Sequence, residues 1–94
     1  MMNLIDVIRS GNATIIDVRD PVELIEGKIP GSINIPVNEI VSRMDEIRQL
    51  PGPIVLYCRS GNRSGRAISI IRSAGLEKEM YKGGGYYDML SLIN

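Results

Sequence analysis

The sequence has no histidine and no tryptophan, and Cys58 is its single cysteine in 94 residues. A lone cysteine excludes an internal disulfide framework. With no histidine and one cysteine, zinc sites built on histidine or on several cysteines are excluded. A nucleophile paired with a histidine base is excluded as well. We therefore expect neither a metal nor another cofactor.

Long apolar runs are also missing. No segment approaches the ~20 apolar residues that a membrane span requires. Asp6 interrupts the first apolar stretch, which has no basic flank, so a signal peptide is not expected. The sequence thus predicts one soluble domain over residues 1–94, located in the cytoplasm and without a membrane partner.

There is no excess of charge of one sign, because eleven basic residues balance eleven acidic ones. Binding of bulk nucleic acid therefore has no support. The local distribution is uneven, since no acidic residue lies between Glu46 and Glu77, where five arginines occur: Arg48, Arg59, Arg63, Arg66 and Arg72. This segment is either a solvated helix face or an anion site, and neither interpretation is favoured before the cysteine is considered.

Strand-like and helix-like segments alternate along the chain. We predict strands at 13–17, 32–35, 54–57 and 79–81, and helices at 3–9, from 20, at 38–50, from 63 or 64 to 74, and at 86–93. Val41 and Ala74 are assigned to buried helix faces, and the glycines at 83–85 to a flexible turn. Such alternation predicts a three-layer α/β/α domain around a small parallel sheet.

Cys58 directly follows the uniformly apolar run at 54–57, which is typical of a central parallel strand. Ligands of open α/β sheets bind outside the carboxyl ends of such strands. Gly61 can adopt positive φ, which lets the loop curl and turn its N–H groups inward. The next helix N-terminus, Arg59 and Arg63 all favour the thiolate. We predict a nucleophilic thiolate in an anion cradle, against the alternative of an inert buried cysteine.

Three segments resemble the rhodanese-like sulfurtransferases. The CRSGNRS segment at 58–64 resembles the active-site loop of that family. The IDVRDP segment at 16–21 with Glu23, followed by GKIPGSINIP at 27–36, is similar to the upstream signature of the family. The GGY segment at 84–86 is a weaker third match. The matches occur in order and cover nearly the whole chain.

The resemblance implies that Cys58 takes a sulfane sulfur from a small anionic donor such as thiosulfate. The resulting persulfide passes this sulfur to cyanide or a thiol, with a protein sulfur acceptor as a further candidate partner. Backbone N–H groups of the loop would hold the outer sulfur, and the Arg59 and Arg63 side chains would attract the donor. The substrate-binding residues implied are Arg59, Ser60, Gly61, Asn62, Arg63 and Ser64.

Three other functions use the same cysteine. A sulfur-carrier or regulatory binding module would load Cys58 with sulfur but turn over small molecules poorly. A redox sensor would need a resolving thiol from another molecule. A cysteine phosphatase of the related fold is disfavoured, because its loop needs five residues between cysteine and arginine. Here four residues separate Cys58 from Arg63, and Ser64 occupies the next position.

Asp17 and Arg19, at the end of the first predicted strand, are expected to support the site. A structural role is favoured over direct tuning of the cysteine: Asp17 would accept backbone N–H bonds, and Arg19 would pair with a carboxylate such as Glu23. The chain starts close to its first helix, so we expect four strands, with five as the alternative. The resemblance implies that the cysteine strand lies near the middle of the sheet.

Overall fold

The computed structural model describes residues 3–94, so Met1 and Met2 of the predicted domain lie outside the described residues. Four parallel strands form one sheet in the order β2-β1-β3-β4. They are β1 (Thr14–Asp17), β2 (Ile33–Asn34), β3 (Ile54–Cys58) and β4 (Met80–Gly85). The sheet confirms the expected small parallel architecture, and the cysteine strand β3 lies in its interior.

Four α-helices accompany the sheet: α1 (Leu4–Arg9), α2 (Met44–Arg48), α3 (Asn62–Ser73) and α4 (Tyr86–Ile93). Three short 3₁₀ helices connect them, at Pro21–Glu26, Val37–Glu39 and Val41–Arg43. Within residues 3–94 no helix has the length and apolar character needed to cross a membrane.

Two helix starts follow from local hydrogen bonds that the sequence predicts. The Asn3 side chain accepts the Asp6 N–H at 3.0 Å and caps α1. The Glu23 carboxylate accepts the Asp20 N–H at 2.8 Å, so the first 3₁₀ helix begins with the contact typical of a capping box. This helix ends at Gly27, whose φ of 116° departs from helical geometry.

Strand β3 is buried on both faces because its side chains alternate between two apolar clusters. Ile54, Leu56 and Cys58 face the cluster that contains residues of α2 and α3. Val55 and Tyr57 face the cluster that contains residues of α1 and α4. The helices therefore cover both faces of the sheet, as the alternation of elements predicts, and Cys58 lies on the α3 side.

The prediction of one helix over 38–50 is wrong. The segment forms two 3₁₀ turns and then the short α2, and Asn38 lies inside the first turn. Val41 is 71% exposed; it lies in a 3₁₀ turn, whose period of three residues differs from the α-helical period that assigned it to a buried face. Ala74 is also exposed, since it lies just beyond the end of α3.

The glycines at 83–85 belong to strand β4 and do not form the predicted flexible turn. Gly84 pairs with Tyr57 and Gly85 with Cys58, after a register shift next to Leu56. The left-handed φ of +81° at Gly84 accommodates this bulge. A Cβ on Gly85 would overlap the carbonyl oxygen of Arg59, so glycine lets β4 approach the cysteine loop.

Candidate active site

Cys58 is the last residue of β3 and lies at the carboxyl edge of the sheet, where it is fully buried. The chain then turns through Arg59 and Ser60 to Gly61, which has a φ of 98°. This left-handed geometry confirms the expected turn at Gly61. Helix α3 begins at Asn62, one or two residues before the predicted start at 63 or 64.

The Cys58 sulfur lies inside this turn. The Gly61 N–H donates to Sγ at 2.9 Å. The Ser64 hydroxyl oxygen is 3.9 Å from Sγ and donates its own proton to the Gly61 carbonyl at 2.9 Å. Ser64, in the first turn of α3, thus closes the cysteine loop and is itself buried.

The pKa of the Cys58 thiol is lowered from its ordinary value by a balance of opposing effects. Burial is the largest single influence and raises the pKa. The backbone N–H groups of Ser64, Gly61 and Ser60, together with the Ser64 hydroxyl, lower the pKa and outweigh burial. Loop N–H groups therefore make the leading contributions in favour of the thiolate.

Arg63 forms a bidentate ion pair with Glu23. Its Nη1 lies 2.6 Å from Glu23 Oε2, and its Nη2 lies 2.8 Å from Oε1. This pair lowers the pKa of Glu23 to about 2 and raises that of Arg63. The positive charge of Arg63 at the loop is thus compensated by a carboxylate from the first 3₁₀ helix, a contact that the sequence interpretation missed.

The remaining loop side chains project outward. Arg59, Ser60 and Asn62 are exposed, and Arg59 forms no ion pair with any residue of 3–94. A second cation outside the motif, Lys82 of β4, runs beside the loop. Its ammonium nitrogen lies 3.4 Å from where a Cβ on Gly65 would be. The contribution of each of these side chains to binding stays a prediction.

Asp17 and Arg19 form a buried pair, with Arg19 Nε 3.0 Å from Asp17 Oδ1 and Nη2 2.6 Å from Oδ2. Asp17 also accepts the Arg19 N–H, at 3.0 Å. Arg19 therefore has the expected carboxylate partner, which is Asp17 rather than the suggested Glu23, and it meets only the backbone carbonyl of Glu23. Arg19 further donates to the Gly27 carbonyl at 2.8 Å, so the pair ties β1 to the following loop.

Tyr57 joins this pair from the neighbouring strand, a role that no sequence pattern indicated. Its hydroxyl donates to Asp17 Oδ2 at 2.8 Å and accepts the Ile29 N–H at 3.1 Å. The tyrosine side chain lies on the face of the sheet opposite to Cys58. This geometry matches the structural role expected for Asp17 and Arg19.

The arrangement provides one activated sulfur nucleophile inside a turn whose Gly61 N–H is directed at it. In the part of the chain that the structure describes, no group of three or more acidic, cysteine or histidine side chains could hold a metal ion. A thiolate that is stabilised by hydrogen bonds and has no neighbouring base is suited to attack a soft electrophile such as sulfur.

The chain belongs to the rhodanese-like domain family, since the model of that family matches residues 3–91. A protein of Allochromatium vinosum named sulfurtransferase is 35% identical over 71 residues, which cover 76% of this chain. The human thiosulfate:glutathione sulfurtransferase is 29% identical over 97 residues, with 89% of this chain and 84% of that protein covered.

Among solved structures, a human single-domain sulfurtransferase superposes with a TM-score of 0.71 at 30% identity, covering 90% of this chain and 87% of that one. The likeness confirms the rhodanese-like fold. The chain spans less than two thirds of some bacterial relatives, 58% of a Bacillus subtilis protein and 65% of the Allochromatium protein.

Proposed function

We propose that this protein is a sulfurtransferase that moves a sulfane sulfur through a persulfide on Cys58. The observation that carries the proposal is the Gly61 N–H directed at the Cys58 sulfur at 2.9 Å, within a turn that lowers the thiol pKa. Membership of the family and the relatives named sulfurtransferases support the general reaction. Thiosulfate as donor is supported by the name of the human relative.

In the first step, the Cys58 thiolate attacks the outer sulfur of thiosulfate. A new S–S bond forms, the bond between the two sulfur atoms of thiosulfate breaks, and sulfite leaves with its electron pair. The product is a Cys58 persulfide anion, and the total charge is unchanged. In this proposal, the loop N–H groups stabilise the anion in the manner of an oxyanion hole.

In the second step, cyanide or a thiolate attacks the outer sulfur of the persulfide. The S–S bond breaks, the electron pair returns to Cys58 as thiolate, and thiocyanate or a new persulfide leaves. A protein thiol is a further acceptor class that we propose. The free thiol suits a reducing compartment, which is why we place the protein in the cytoplasm.

The side chains at the rim have separate roles in this proposal. Arg59, exposed and without an ion pair in residues 3–94, attracts the anionic donor. Arg59→Ala is therefore expected to raise the KM for thiosulfate and to weaken its dependence on salt. Ser60, Asn62 and Arg63 line the rim, and Ser64 holds the turn closed.

The test is intact mass after incubation with thiosulfate, and again after addition of cyanide. The wild type should gain one sulfur atom and then lose it, while Cys58→Ser should gain none. Because Cys58 is the only cysteine, a gain in the serine variant would refute the assignment. Loading without turnover would favour the sulfur-carrier alternative, and hydrolysis of an aryl phosphate without loading would favour the phosphatase.

A further inference from the structure

The ion pair between Glu23 and Arg63 joins two separate parts of the site. Glu23 lies on the first 3₁₀ helix, and Arg63 lies in the first turn of α3, directly after the cysteine loop. The exposed fractions of the two side chains are 18% and 31%. The pair is thus only partly solvated, at the rim of the loop that holds Cys58.

Glu23 is held in place independently of Arg63. Its Oε2 accepts the Asp20 N–H at 2.8 Å in addition to the Arg63 contact. Its carbonyl oxygen accepts Nη1 of the buried Arg19 at 3.4 Å. The carboxylate is therefore fixed before a ligand arrives, and its low pKa keeps it charged across the physiological range.

The pair changes the charge that an incoming anion meets. The loop motif contains two arginines, but the charge of Arg63 is compensated by Glu23 at contact distance. Arg59 of the loop and Lys82 of β4 form no ion pair within residues 3–94. The rim therefore carries one positive charge fewer than the motif suggests.

We infer that Glu23 is a specificity-determining residue, whose carboxylate selects against doubly charged sulfur donors in favour of singly charged ones. The inference rests on the proposed sulfur transfer at Cys58 and concerns only the charge of the donor. Each added unit of donor charge interacts with the net charge of the Glu23–Arg63 pair, which is zero in the wild type. Removing the Glu23 charge leaves Arg63 unpaired and favours the dianion more than the monoanion.

Two donors of similar shape isolate this effect. Thiosulfate is a dianion, and methanethiosulfonate is a monoanion in which a methyl group replaces one oxygen. Both offer an outer sulfur to the Cys58 thiolate and form the same persulfide. The S–S bond breaks in each case, and sulfite or methanesulfinate leaves with the electron pair. The ratio of kcat/KM for the two donors therefore reports the charge of the rim.

The experiment measures this ratio in the wild type, Glu23→Gln, Arg63→Gln and the double variant. Glu23→Gln should raise the thiosulfate-to-methanethiosulfonate ratio about three- to tenfold, which is the factor that one unit charge gives in water when it lies about 3–6 Å from the donor. Arg63→Gln should lower the ratio by a similar factor. The double variant restores a net charge of zero, so its ratio should return to within about twofold of the wild type.

Glu46→Gln, on α2, breaks the ion pair with Arg43 of the third 3₁₀ helix and serves as the matched control, whose ratio should not change. If Glu23→Gln lowers the efficiency with both donors equally, Glu23 is merely structural and the inference is wrong. If Glu23→Gln does not fold, Arg63→Gln decides alone, and an unchanged ratio refutes the inference. A wild type that accepts neither donor refutes the proposed sulfur transfer itself. A wild type that loads with sulfur, together with variants whose donor ratio equals its own, refutes only the role of Glu23.

Discussion

Tyr57→Phe removes one hydroxyl from the middle of the sheet and leaves the ring in place. In the wild type this hydroxyl donates to Asp17 Oδ2 at 2.8 Å and accepts the Ile29 N–H at 3.1 Å. The Ser32 hydroxyl lies 3.3 Å away. All of these groups are buried, so water cannot replace the lost hydroxyl without a rearrangement of the loop around Ile29.

The cost follows from the two hydrogen bonds. A hydrogen bond to a charged group contributes about 1.5–3 kcal/mol, and a buried donor left without a partner costs about 1–3 kcal/mol. The two effects share one atom and are not additive, so we expect a loss of about 3 kcal/mol in the free energy of unfolding. For a domain of this size, that loss lowers Tm by about 12–24 °C.

Urea unfolding of Tyr57→Phe, with Tyr81→Phe as the matched control, measures the effect. Tyr81 lies on β4 and is half-buried, so removal of its hydroxyl should lower the free energy of unfolding by less than about 0.5 kcal/mol. Sulfur loading per folded Tyr57→Phe molecule should be unchanged, because the tyrosine ring and Cys58 lie on opposite faces of the sheet. A shift no larger than that of the control would refute the view that the hydroxyl supports the Asp17–Arg19 pair.

Three further predictions concern the site and its support. The rate of Cys58 alkylation should reach half its maximum at a pH below the ordinary thiol pKa. Ser64→Ala should move this midpoint to higher pH, and an unchanged midpoint would exclude a role for the hydroxyl. Glu23→Gln should lower stability at pH 7 by about 1–2 kcal/mol. Because the folded pKa of Glu23 is about 2 and the unfolded value is 4.5, this difference from the wild type should shrink below pH 4.5 and vanish near pH 2 in urea titrations. Gly85→Ala should destabilise by about 1–3 kcal/mol and reduce sulfur loading through the clash with the cysteine loop, whereas Gly65→Ala, in α3, should fold with equal or greater stability by the same unfolding assay.

The parts of the fold that sequence predicts are those governed by local or uniform patterns. The apolar run at 54–57 can only be buried on both faces, and it forms the central strand β3. Asn3 caps α1, and Gly61 takes the left-handed turn after Cys58, because both act through their own backbone neighbours. The cradle around the sulfur follows from this turn and was therefore also predictable.

Strand β4 shows why other parts were not predictable. Its second half consists of Gly83, Gly84 and Gly85, a composition that predicts a flexible turn when considered alone. Pairing with β3 overrides this preference, and only glycine at position 85 leaves room for the carbonyl of Arg59. The need for glycine arises from a neighbour that is distant in sequence, so no local pattern reveals it.

The partners of Arg19 and Arg63 were not fully predictable for a related reason. A carboxylate partner was expected for Arg19, with Glu23 as the example, and Asp17, two residues away along the chain, takes that place with the help of Tyr57. Glu23 is then available to Arg63, 40 positions later in the chain. The pairing of Arg19 with Asp17 thus leaves the Glu23 carboxylate to compensate the charge of Arg63 at the rim of the cysteine loop. The number of arginines in the motif therefore overstates the positive charge that a donor meets. That charge depends on which of the arginines have a carboxylate partner.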